Sequence, residues 1–460
     1  MKPTVVIAGA TGFIGRWFIQ TYKHKYRIIA LSRRQMTPAR PDPDVEWRQV
    51  ELYSLSRTTE VLQGADYALY LVHSMQPSTR LSQGTFDDTD VLLADNFARA
   101  AQANGLQQIL FLGGILPEGV SDYSRHLRSR YEVERTLSSG PVPLTALRAG
   151  IIVGPGGSSF RIMEKLVRRL PAMICPQWTR SESSPIALSD TLRMIDYCLG
   201  RTEMYDQVYD IGGPEKMTYI DMMRQVADLM GKKRWIGTVP VFSPLLSKLW
   251  VATFADASRT LVSPLVESLR YDLPVRTNAL MDAFPDRESF RTAAQQALFH
   301  KDDIPLLPEN NAPETDERNT VRSVQRLPNP QNRSATWVAR RYQTWLPGFF
   351  RYLIRVRQEG ETSAFHVGPI ELLQFRFIED RSDQDRQLFY IIGGRLVKRR
   401  DYGWLEFRRV LGGRYVIAAI HEFVPTLPWF IYVLTQAVVH LWVMNRFGQY
   451  LAQLETRQPV

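Results

Sequence analysis

The chain has 460 residues, of which 44% are hydrophobic, and it carries a formal net charge of +10. At roughly 100–200 residues per domain, this length indicates two or three domains. The ordinary apolar content excludes a wholly disordered or collagen-like chain. The two cysteines, Cys175 and Cys198, are too few for a disulfide framework or a cysteine-based zinc or iron–sulfur site. We expect both to be small buried side chains.

The positive charge is concentrated in the C-terminal third. Residues 321–460 hold 20 basic residues, 19 of them arginine, against 11 acidic ones, whereas the other 320 residues are nearly balanced. Because arginine suits planar anions and aromatic faces, this third predicts an anionic ligand, an anionic lipid surface, an acidic partner or a merely solvated face. The arginines are dispersed and no basic helix or zinc motif accompanies them, so we expect no nucleic-acid partner.

The N-terminus lacks the features of a signal peptide, which predicts a cytoplasmic protein. The most membrane-like stretch, residues 427–444, begins near Pro428 and is interrupted by Gln436 and His440. A spanning helix needs about 20 predominantly apolar residues. We therefore expect no transmembrane span, and peripheral membrane association remains open.

Short apolar runs alternate with helical patterns through the first third of the chain. Strands that alternate with helices predict βαβ units and a parallel sheet. Runs that are apolar throughout predict helices on both faces of that sheet. We expect an α/β, Rossmann-type, doubly wound parallel sheet in a domain over residues 1–300. The predicted strands are residues 4–8, 27–31, 45–50, 67–72, 108–112 and 144–148, and predicted helices include residues 12–22 and 90–104.

The amino-acid composition and the predicted elements change after this domain. Residues 301–322 are rich in proline, asparagine and acidic residues, which predicts a linker. Beyond it, Gly-Gly pairs predict two hairpins, one joining residues 388–392 to 395–398 and the other joining 404–410 to 415–420. A helix with one strongly apolar face is predicted over residues 428–454. We expect residues 323–460 to form an α+β domain, an antiparallel sheet with a long C-terminal helix.

A glycine-rich turn directly follows the first predicted strand. Gly9 permits the turn, Gly12 lets the backbone approach a pyrophosphate, and Gly15 lets the next helix pack close to the sheet. The N-terminus of that helix then presents free N–H groups and a positive dipole end to phosphate. The sequence therefore predicts dinucleotide binding by Gly9, Ala10, Thr11, Gly12, Phe13, Ile14 and Gly15.

The end of the second predicted strand indicates which dinucleotide is preferred. An acidic residue here would bind the ribose 2′-hydroxyl of NAD, but the chain reads Ser32, Arg33 and Arg34. A hydroxyl and two guanidinium groups suit the 2′-phosphate of NADP, so we predict NADP(H) in preference to NAD(H). The alternative is that both arginines line a solvated loop. We also assign Val72 and His73, at the end of the fourth predicted strand, to the cofactor site.

These motifs resemble the extended and atypical short-chain dehydrogenase/reductase (SDR) superfamily. Residues 147–156 (LRAGIIVGPG) look like its "LRPGxxYGPG" segment, residues 184–190 (SPIALSD) like its "PIHVxDV" segment, and residues 209–214 (YDIGGP) like its "xNIGGP" turn. With the glycine loop, the matches extend from residue 4 to about residue 230. The resemblance implies a Rossmann fold, a nicotinamide dinucleotide and a substrate cleft that the later segments help to close.

The catalytic positions depart from that superfamily, whose active enzymes use a serine and a YxxxK pair. Gly113 and Gly114 stand where the serine is expected, His126 takes the tyrosine position and Arg130 takes the lysine position. Arginine does not deprotonate in proteins, so Arg130 could fix charge or hold a ribose. His126 titrates near neutrality and could act as an acid or base. We name both as catalytic candidates, and the alternative is that His126 is an ordinary cleft residue.

The segment 126–134 (HLRSRYEVE) resembles atypical SDRs related to the nucleotide-binding accessory subunit of respiratory complex I. That resemblance implies cofactor binding without established turnover. The C-terminal region resembles an uncharacterised domain appended to bacterial atypical SDRs, which we compare with the START/Bet v 1-like helix-grip fold, in which a curved sheet wraps a helix around an apolar ligand. Candidate lining residues are Trp404, His421, Trp429, Gln436 and His440. No histidine or carboxylate spacing suggests a metal site.

Several functions remain open at this stage. The first is an NADP(H)-dependent oxidoreductase that acts on an apolar, quinone-like or isoprenoid-like substrate. The second is a non-catalytic NADP(H)-binding sensor or assembly factor whose C-terminal domain binds a lipid or a membrane complex. The third is a peripheral membrane protein that uses the arginine-rich face and the C-terminal helix.

Overall fold

The computed structural model describes residues 2–74, 81–120, 122–238, 267–268, 271–310, 320–351 and 353–454. Nine of the 22 residues of the predicted linker, residues 311–319, therefore lie outside the described residues. The described chain divides into two compact units: the first contains residues 2–74 and 96–310, and the second contains residues 81–95 and 320–454.

The elements are numbered here in chain order. The strands are β1 Thr4–Ala8, β2 Arg27–Ser32, β3 Met36–Thr37, β4 Val45–Gln49, β5 Tyr67–Tyr70, β6 Leu81–Gln83, β7 Gln108–Gly114, β8 Leu144–Ala149, β9 Ile152–Val153, β10 Ala172–Cys175, β11 Glu182–Ser183, β12 Ile186–Ala187, β13 Val208–Ile211, β14 Met217–Thr218, β15 Trp235–Thr238, β16 Glu309–Asn310, β17 Val321–Pro328, β18 Ile354–Glu359, β19 Thr362–Val367, β20 Ile370–Phe377, β21 Arg386–Gly393, β22 Trp404–Val410 and β23 Tyr415–Phe423. The helices are α1 Phe13–Tyr22, α2 Leu55–Val61, α3 Phe86–Ala103, α4 Arg125–Leu137, α5 Ser158–Arg169, α6 Leu188–Cys198, α7 Tyr219–Leu229, α8 Ala279–Asp282, α9 Phe290–Phe299, α10 Ala335–Phe349, α11 Trp429–Leu434 and α12 Gln436–Gln453.

A seven-stranded parallel sheet forms the centre of the first unit, in the order β13-β8-β7-β5-β1-β2-β4. Its inner strands are buried nearly throughout, as in β1 and β2, because helices cover both faces. Phe18 of α1 packs on one face, and Phe97 of α3 packs against Tyr70 on the other, with ring centroids 4.9 Å apart. The Rossmann-type doubly wound sheet predicted from the sequence is confirmed.

A second cluster of buried side chains lies under α5, α7 and α9 and includes Cys175. Cys198 is buried in the sheet core. Burial raises the pKa of Cys175 to about 11 and that of Cys198 to about 12, so both thiols stay protonated. The prediction that both cysteines are small buried side chains is confirmed.

An eight-stranded sheet forms the second unit, in the order β18-β19-β20-β21-β22-β23-β17-β6. All neighbours are antiparallel except β17 and the short edge strand β6. Helices α10, α11 and α12 pack on one face, where the core includes Val338, Leu346 and Phe447. The predicted antiparallel sheet with a long C-terminal helix is confirmed in outline, and residues 81–95 join this unit from far earlier in the sequence.

Two local predictions in this unit are wrong. Residues 395–398 do not pair with β21, because Gly394 (φ +105°) passes so close to β20 that a Cβ would lie 2.3 Å from the carbonyl oxygen of Leu372. The amide of Arg395 bonds Glu371 on β20 instead, and β21 pairs with β22. The C-terminal helix is also broken in two at Thr435 (φ −123°, ψ −84°). The second predicted hairpin, β22 to β23, is confirmed.

Candidate functional site

The strand order of the parallel sheet reverses at β1, and this reversal indicates where a ligand would bind. Strands β2 and β5 flank β1, so the connections that follow β1 and β5 leave the sheet on opposite sides. Ligands of open α/β sheets bind at the carboxyl ends of the strands where the strand order reverses in this way. The glycine turn follows β1, and Val72 and His73 follow β5, so the fold brings these predicted residues to that edge.

The glycine turn is tight and leaves no room for larger residues. Gly9 has φ +94°, and its carbonyl oxygen accepts a hydrogen bond from the Gly12 amide at 2.9 Å. A Cβ on Gly15 would lie 2.5 Å from that same carbonyl oxygen and 2.8 Å from Cα of Ala10. Gly15 therefore permits α1 to start directly against the turn, which is the role predicted for it from the sequence.

The N-terminus of α1 is open. Gly12 is its N-cap residue, and among the described residues no side chain caps it. The first turn contains no acidic residue, so the N–H groups of residues 13–15 and the positive end of the helix dipole keep their capacity for an anion. Ala10, Ile14 and Gly15 are buried, whereas Gly12 is exposed. This geometry suits a pyrophosphate at the start of the helix.

The end of β2 presents two exposed arginines. Ser32 is buried, and its Oγ accepts a hydrogen bond from the Arg34 amide at 3.1 Å, which shapes the turn that follows. Gln49 donates to the Arg33 carbonyl oxygen at 3.2 Å. Within the described part of the chain neither Arg33 nor Arg34 forms an ion pair, so both guanidinium groups are available to an anionic ligand.

Arg130 holds the strand ends together. Its guanidinium donates to the carbonyl oxygens of Val72 at 2.9 Å and Leu112 at 2.8 Å, and it lies over the Phe111 ring at 4.7 Å. The side chain is buried. These contacts join a carbonyl group beyond the end of β5 to one within β7. Arg130 stands at the position where the SDR pattern has lysine, and it binds the backbone at the ends of two strands.

His126 lies beside His73. Nδ1 of His126 is 3.1 Å from Nε2 of His73, and the two ring centroids are 5.0 Å apart. Ser124 caps α4 by accepting from the Leu127 amide, which places His126 in the first turn of the helix. The structure thus pairs a predicted cofactor residue with a predicted catalytic residue. Two imidazole nitrogens at this distance can share one hydrogen.

The serine of the SDR pattern has no counterpart at the end of β7. Gly113 and Gly114 occupy that position, and a Cβ on Gly113 would lie 2.8 Å from the Phe111 ring. Sequence reasoning missed the bidentate pair next to this strand, in which half-buried Arg148 donates to buried Glu134 at 2.6 and 2.8 Å. Spacing gave no sign of it, because the partners lie on different elements.

The second unit encloses a cavity of about 200 Å³ between its sheet and its helices. Gln436 and His440 line it as predicted, but Trp404, His421 and Trp429 do not, and for these three the prediction is wrong. His421 lies on the opposite face of the sheet, where it stacks on Trp404 with ring centroids 4.8 Å apart. A bulge at Glu422 (φ +51°) then interrupts the alternation of the strand, so that Phe423 lines the cavity, as Ile420 does.

A buried charge cluster occupies that opposite face. Glu406 accepts from Arg386 at 3.0 Å, from Arg408 at 3.1 Å and lies 3.2 Å from His421. Arg408 also pairs with Asp95 of α3. Burial alone would raise the pKa of Glu406, but Arg408 and Arg386 hold it well below its usual range. Each charge is therefore compensated inside the core of the unit.

The described residues lack both a metal-binding cluster and a helix that could span a membrane. They contain no group of three or more histidine, cysteine, aspartate or glutamate side chains placed to hold a metal ion. No helix among them is long and apolar enough to cross a membrane.

Comparisons with known proteins agree with this geometry. Residues 5–122 match the NAD dependent epimerase/dehydratase family. The auxiliary protein GraX of Staphylococcus aureus is 25% identical over 114 residues, which are 25% of this chain and only 37% of GraX. UDP-glucose 4-epimerase of Vibrio cholerae is 20% identical over 328 residues, or 65% of this chain and 96% of that enzyme.

Among solved structures, a nucleoside-diphosphate-sugar epimerase from Staphylococcus aureus superimposes with a TM-score of 0.50 and 16% identity. The match covers 64% of this chain and 99% of that one. At this identity the match establishes the fold alone. The N-terminal part of the chain is thus similar in sequence to the NAD dependent epimerase/dehydratase family, and it shares the fold of a nucleoside-diphosphate-sugar epimerase.

Proposed function

We propose that the first unit binds NADP(H) at the carboxyl edge of its parallel sheet. The observation that carries this proposal is the uncapped N-terminus of α1 behind the glycine turn, with Arg33 and Arg34 exposed at the end of β2. The amides of α1 would hold the pyrophosphate, and Arg33 and Arg34 would hold the 2′-phosphate. The description of the matching family, which names NAD, supports the same class of cofactor.

The 2′-phosphate assignment can be tested with fragments of the cofactor. We expect adenosine 2′,5′-bisphosphate to raise the melting temperature of the protein more than 5′-AMP does, because only the former offers a second phosphate to the arginines. The difference should shrink in Arg33→Ala and persist in Arg57→Ala, an exposed arginine on α2. Equal shifts with both nucleotides in the unmodified protein would refute the preference for NADP(H).

We further propose that the protein is an oxidoreductase acting on an apolar, quinone-like or isoprenoid-like substrate. A bound nicotinamide supplies a hydride, and reduction of a carbonyl also requires a proton. His126 would deliver that proton, with His73 at 3.1 Å as its hydrogen-bond partner. Arg130 would act as a positioning residue, since its guanidinium bonds two backbone carbonyls.

Turnover separates this proposal from its alternative. We expect NADPH oxidation with some member of a carbonyl and quinone panel, and a loss of about a hundredfold in kcat for His126→Ala. His24→Ala, which alters an exposed histidine of the same unit, should leave kcat unchanged. Absence of turnover across the panel would instead favour a non-catalytic NADP(H) sensor or assembly factor.

The second unit supports a ligand role of its own. We propose that its cavity holds an apolar small molecule, because most of the side chains that line it are apolar, such as Phe365, Ile391 and Phe407. The element order supports the resemblance to a helix-grip fold: one strand, a helix, six antiparallel strands and a C-terminal helical segment. Apolar molecules gain free energy when such a surface buries them.

An exposed apolar face on α11 and α12 favours peripheral contact with an anionic membrane. Leu434 is 75% exposed and Phe430 is 70% exposed, and Arg446 follows Trp442 by one helical turn. Apolar side chains beside basic ones suit insertion into the interface of an anionic bilayer. The face consists of Phe430, Ile431, Leu434, Val438, Val439, Leu441 and Trp442.

Sedimentation with vesicles tests this membrane proposal. We expect the protein to co-sediment with phosphatidylglycerol vesicles at low salt and to release partly at high salt, since salt screens the arginines. Phe430→Ser combined with Leu434→Ser should weaken binding. Leu306→Ser, which alters a leucine of the first unit that is 95% exposed, should not. Failure of the unmodified protein to co-sediment would exclude membrane contact.

A further inference from the structure

One end of the cavity in the second unit is polar. Four polar side chains line it: Gln83 of β6, Ser323 of β17, and Gln436 and His440 of α12. Ser323 and Gln83 are register partners in the parallel pair of β17 and β6, and Nε2 of His440 lies 3.1 Å from Oγ of Ser323. Two tyrosines, Tyr342 and Tyr432, are the other polar residues of the described lining.

The amide of Gln83 has a fixed orientation. Its Nε2 donates to the carbonyl oxygen of Ala437 at 2.8 Å, which only a donor can do. Oε1 must therefore occupy the opposite position, where it is buried and has no donor among the described residues. Oε1 of Gln436, the residue next to Ala437, is buried and lacks a described donor in the same way. Unsatisfied buried acceptors are costly, so such groups usually signal a missing partner.

The polar end carries no charge. Burial lowers the pKa of His440 to about 4, so its imidazole is neutral at pH 7, and none of the lining side chains is otherwise ionised at that pH. A carboxylate buried here would lack a counter-charge and would be penalised. A carbonyl or ether oxygen has no hydrogen to donate, so it would leave Oε1 of Gln83 without a donor.

We infer that this cavity selects an apolar molecule with a neutral hydroxyl head group, such as a phenol, a hydroquinone or an alcohol, whose O–H donates to Oε1 of Gln83. This inference rests on the proposed ligand role of the second unit and does not depend on dinucleotide binding. The volume sets the size of the enclosed part, since a cavity of about 150 Å³ accommodates benzene. A cavity of about 200 Å³ holds one ring with a short alkyl substituent.

Three probes of nearly equal shape test the inference: 4-propylphenol, 4-propylanisole and 4-propylbenzoate. They share the ring and the alkyl chain, and only the first is a neutral donor. Titration calorimetry with the full chain should give about tenfold or tighter binding of the phenol than of either analogue. Gln83→Met combined with Gln436→Met should remove this preference while binding of the anisole stays or improves. Gln449→Met, an exposed glutamine on α12, is the matched control.

Each outcome decides the matter. Equal binding of the phenol and the anisole would overturn the inference while leaving the apolar-ligand role intact. Tighter binding of the benzoate would overturn it as well and would point to a cation near the cavity. If none of the probes binds to protein with an unchanged melting temperature, both the inference and the proposed ligand role of the second unit fail. Dinucleotide binding is measured separately and is unaffected by any of these results.

Discussion

The carboxyl edge of the parallel sheet and the cavity of the second unit are built from different parts of the chain. At the sheet edge, the proposed site consists mainly of backbone groups: the turn at Gly9, the open amides of α1 and the carbonyl groups that Arg130 binds. In the cavity, side chains from distant segments, such as Gln83 and His440, create both the apolar wall and the polar end. A site made from backbone leaves a local motif in the sequence, whereas a site made from side chains requires the tertiary fold to assemble it.

If side-chain placement governs the second unit, breaking its buried charge cluster should have the largest effect. Arg408→Ala leaves Glu406 and Asp95 buried without their shared partner. We expect a loss of about 3–5 kcal/mol in the free energy of unfolding. Arg409→Ala, which removes a partly exposed pair with Asp385, should cost less than about 1 kcal/mol. Chemical denaturation followed by tryptophan fluorescence measures both, and similar losses would contradict the role of the cluster.

The same principle predicts a pH dependence at His440. Its pKa falls from the ordinary 6.5 to about 4 in the folded protein, so the unfolded chain binds a proton that the folded chain does not. Stability contributed by the neutral imidazole is therefore present above about pH 6.5 and is lost as the pH falls toward 4, by up to about 3 kcal/mol.

Stability curves of His440→Gln and the unmodified protein isolate this effect. The difference between their free energies of unfolding should change as the pH falls from 6.5 to 4, because the variant loses less stability over that range. His24→Gln, an exposed histidine, should follow the unmodified protein. If the free energy of unfolding depends on pH in the same way for all three proteins, burial does not shift the pKa of His440, and its imidazole is in contact with water.

The sheet edge should also respond to the space available around its backbone. Gly15→Ala places a methyl group 2.5 Å from the Gly9 carbonyl oxygen, so α1 or the turn must shift. We expect about a hundredfold weaker NADPH binding, which corresponds to about 2.7 kcal/mol. Gly140→Ala, where the added methyl group meets nothing within 4 Å, is the control. Unchanged affinity in Gly15→Ala would mean that the turn does not carry the dinucleotide.

The sequence was sufficient for elements whose signal is local. The strands of the parallel sheet, the turn at Gly9–Gly15 and the arginines after β2 all follow from short patterns with one physical reason each. The hairpin predicted at Gly394 failed because Gly-Gly serves equally for a turn and for close approach to another strand, and only the tertiary contact with Leu372 decides between them.

The parts that sequence reasoning missed depend on long-range contacts. Residues 81–83 pair with β17, some 240 positions later, and nothing in their composition distinguishes them from a loop of the first unit. The contact between His73 and His126 has the same origin, since it joins a strand end to a helix start. The side of the sheet on which Phe423 lies depends on the bulge at Glu422, which no residue pattern announces.

The most direct test of the central claim is a calorimetric titration of the full chain with NADPH and with NADH, repeated on Arg33→Ala. We expect NADPH to bind more tightly than NADH, and Arg33→Ala to weaken NADPH binding by about tenfold while leaving NADH binding unchanged, because one charge-assisted contact to the 2′-phosphate is lost. Equal weakening of both nucleotides would place Arg33 elsewhere in the site. No binding of either nucleotide would contradict the account, and the cavity of the second unit would then become the place to look for function.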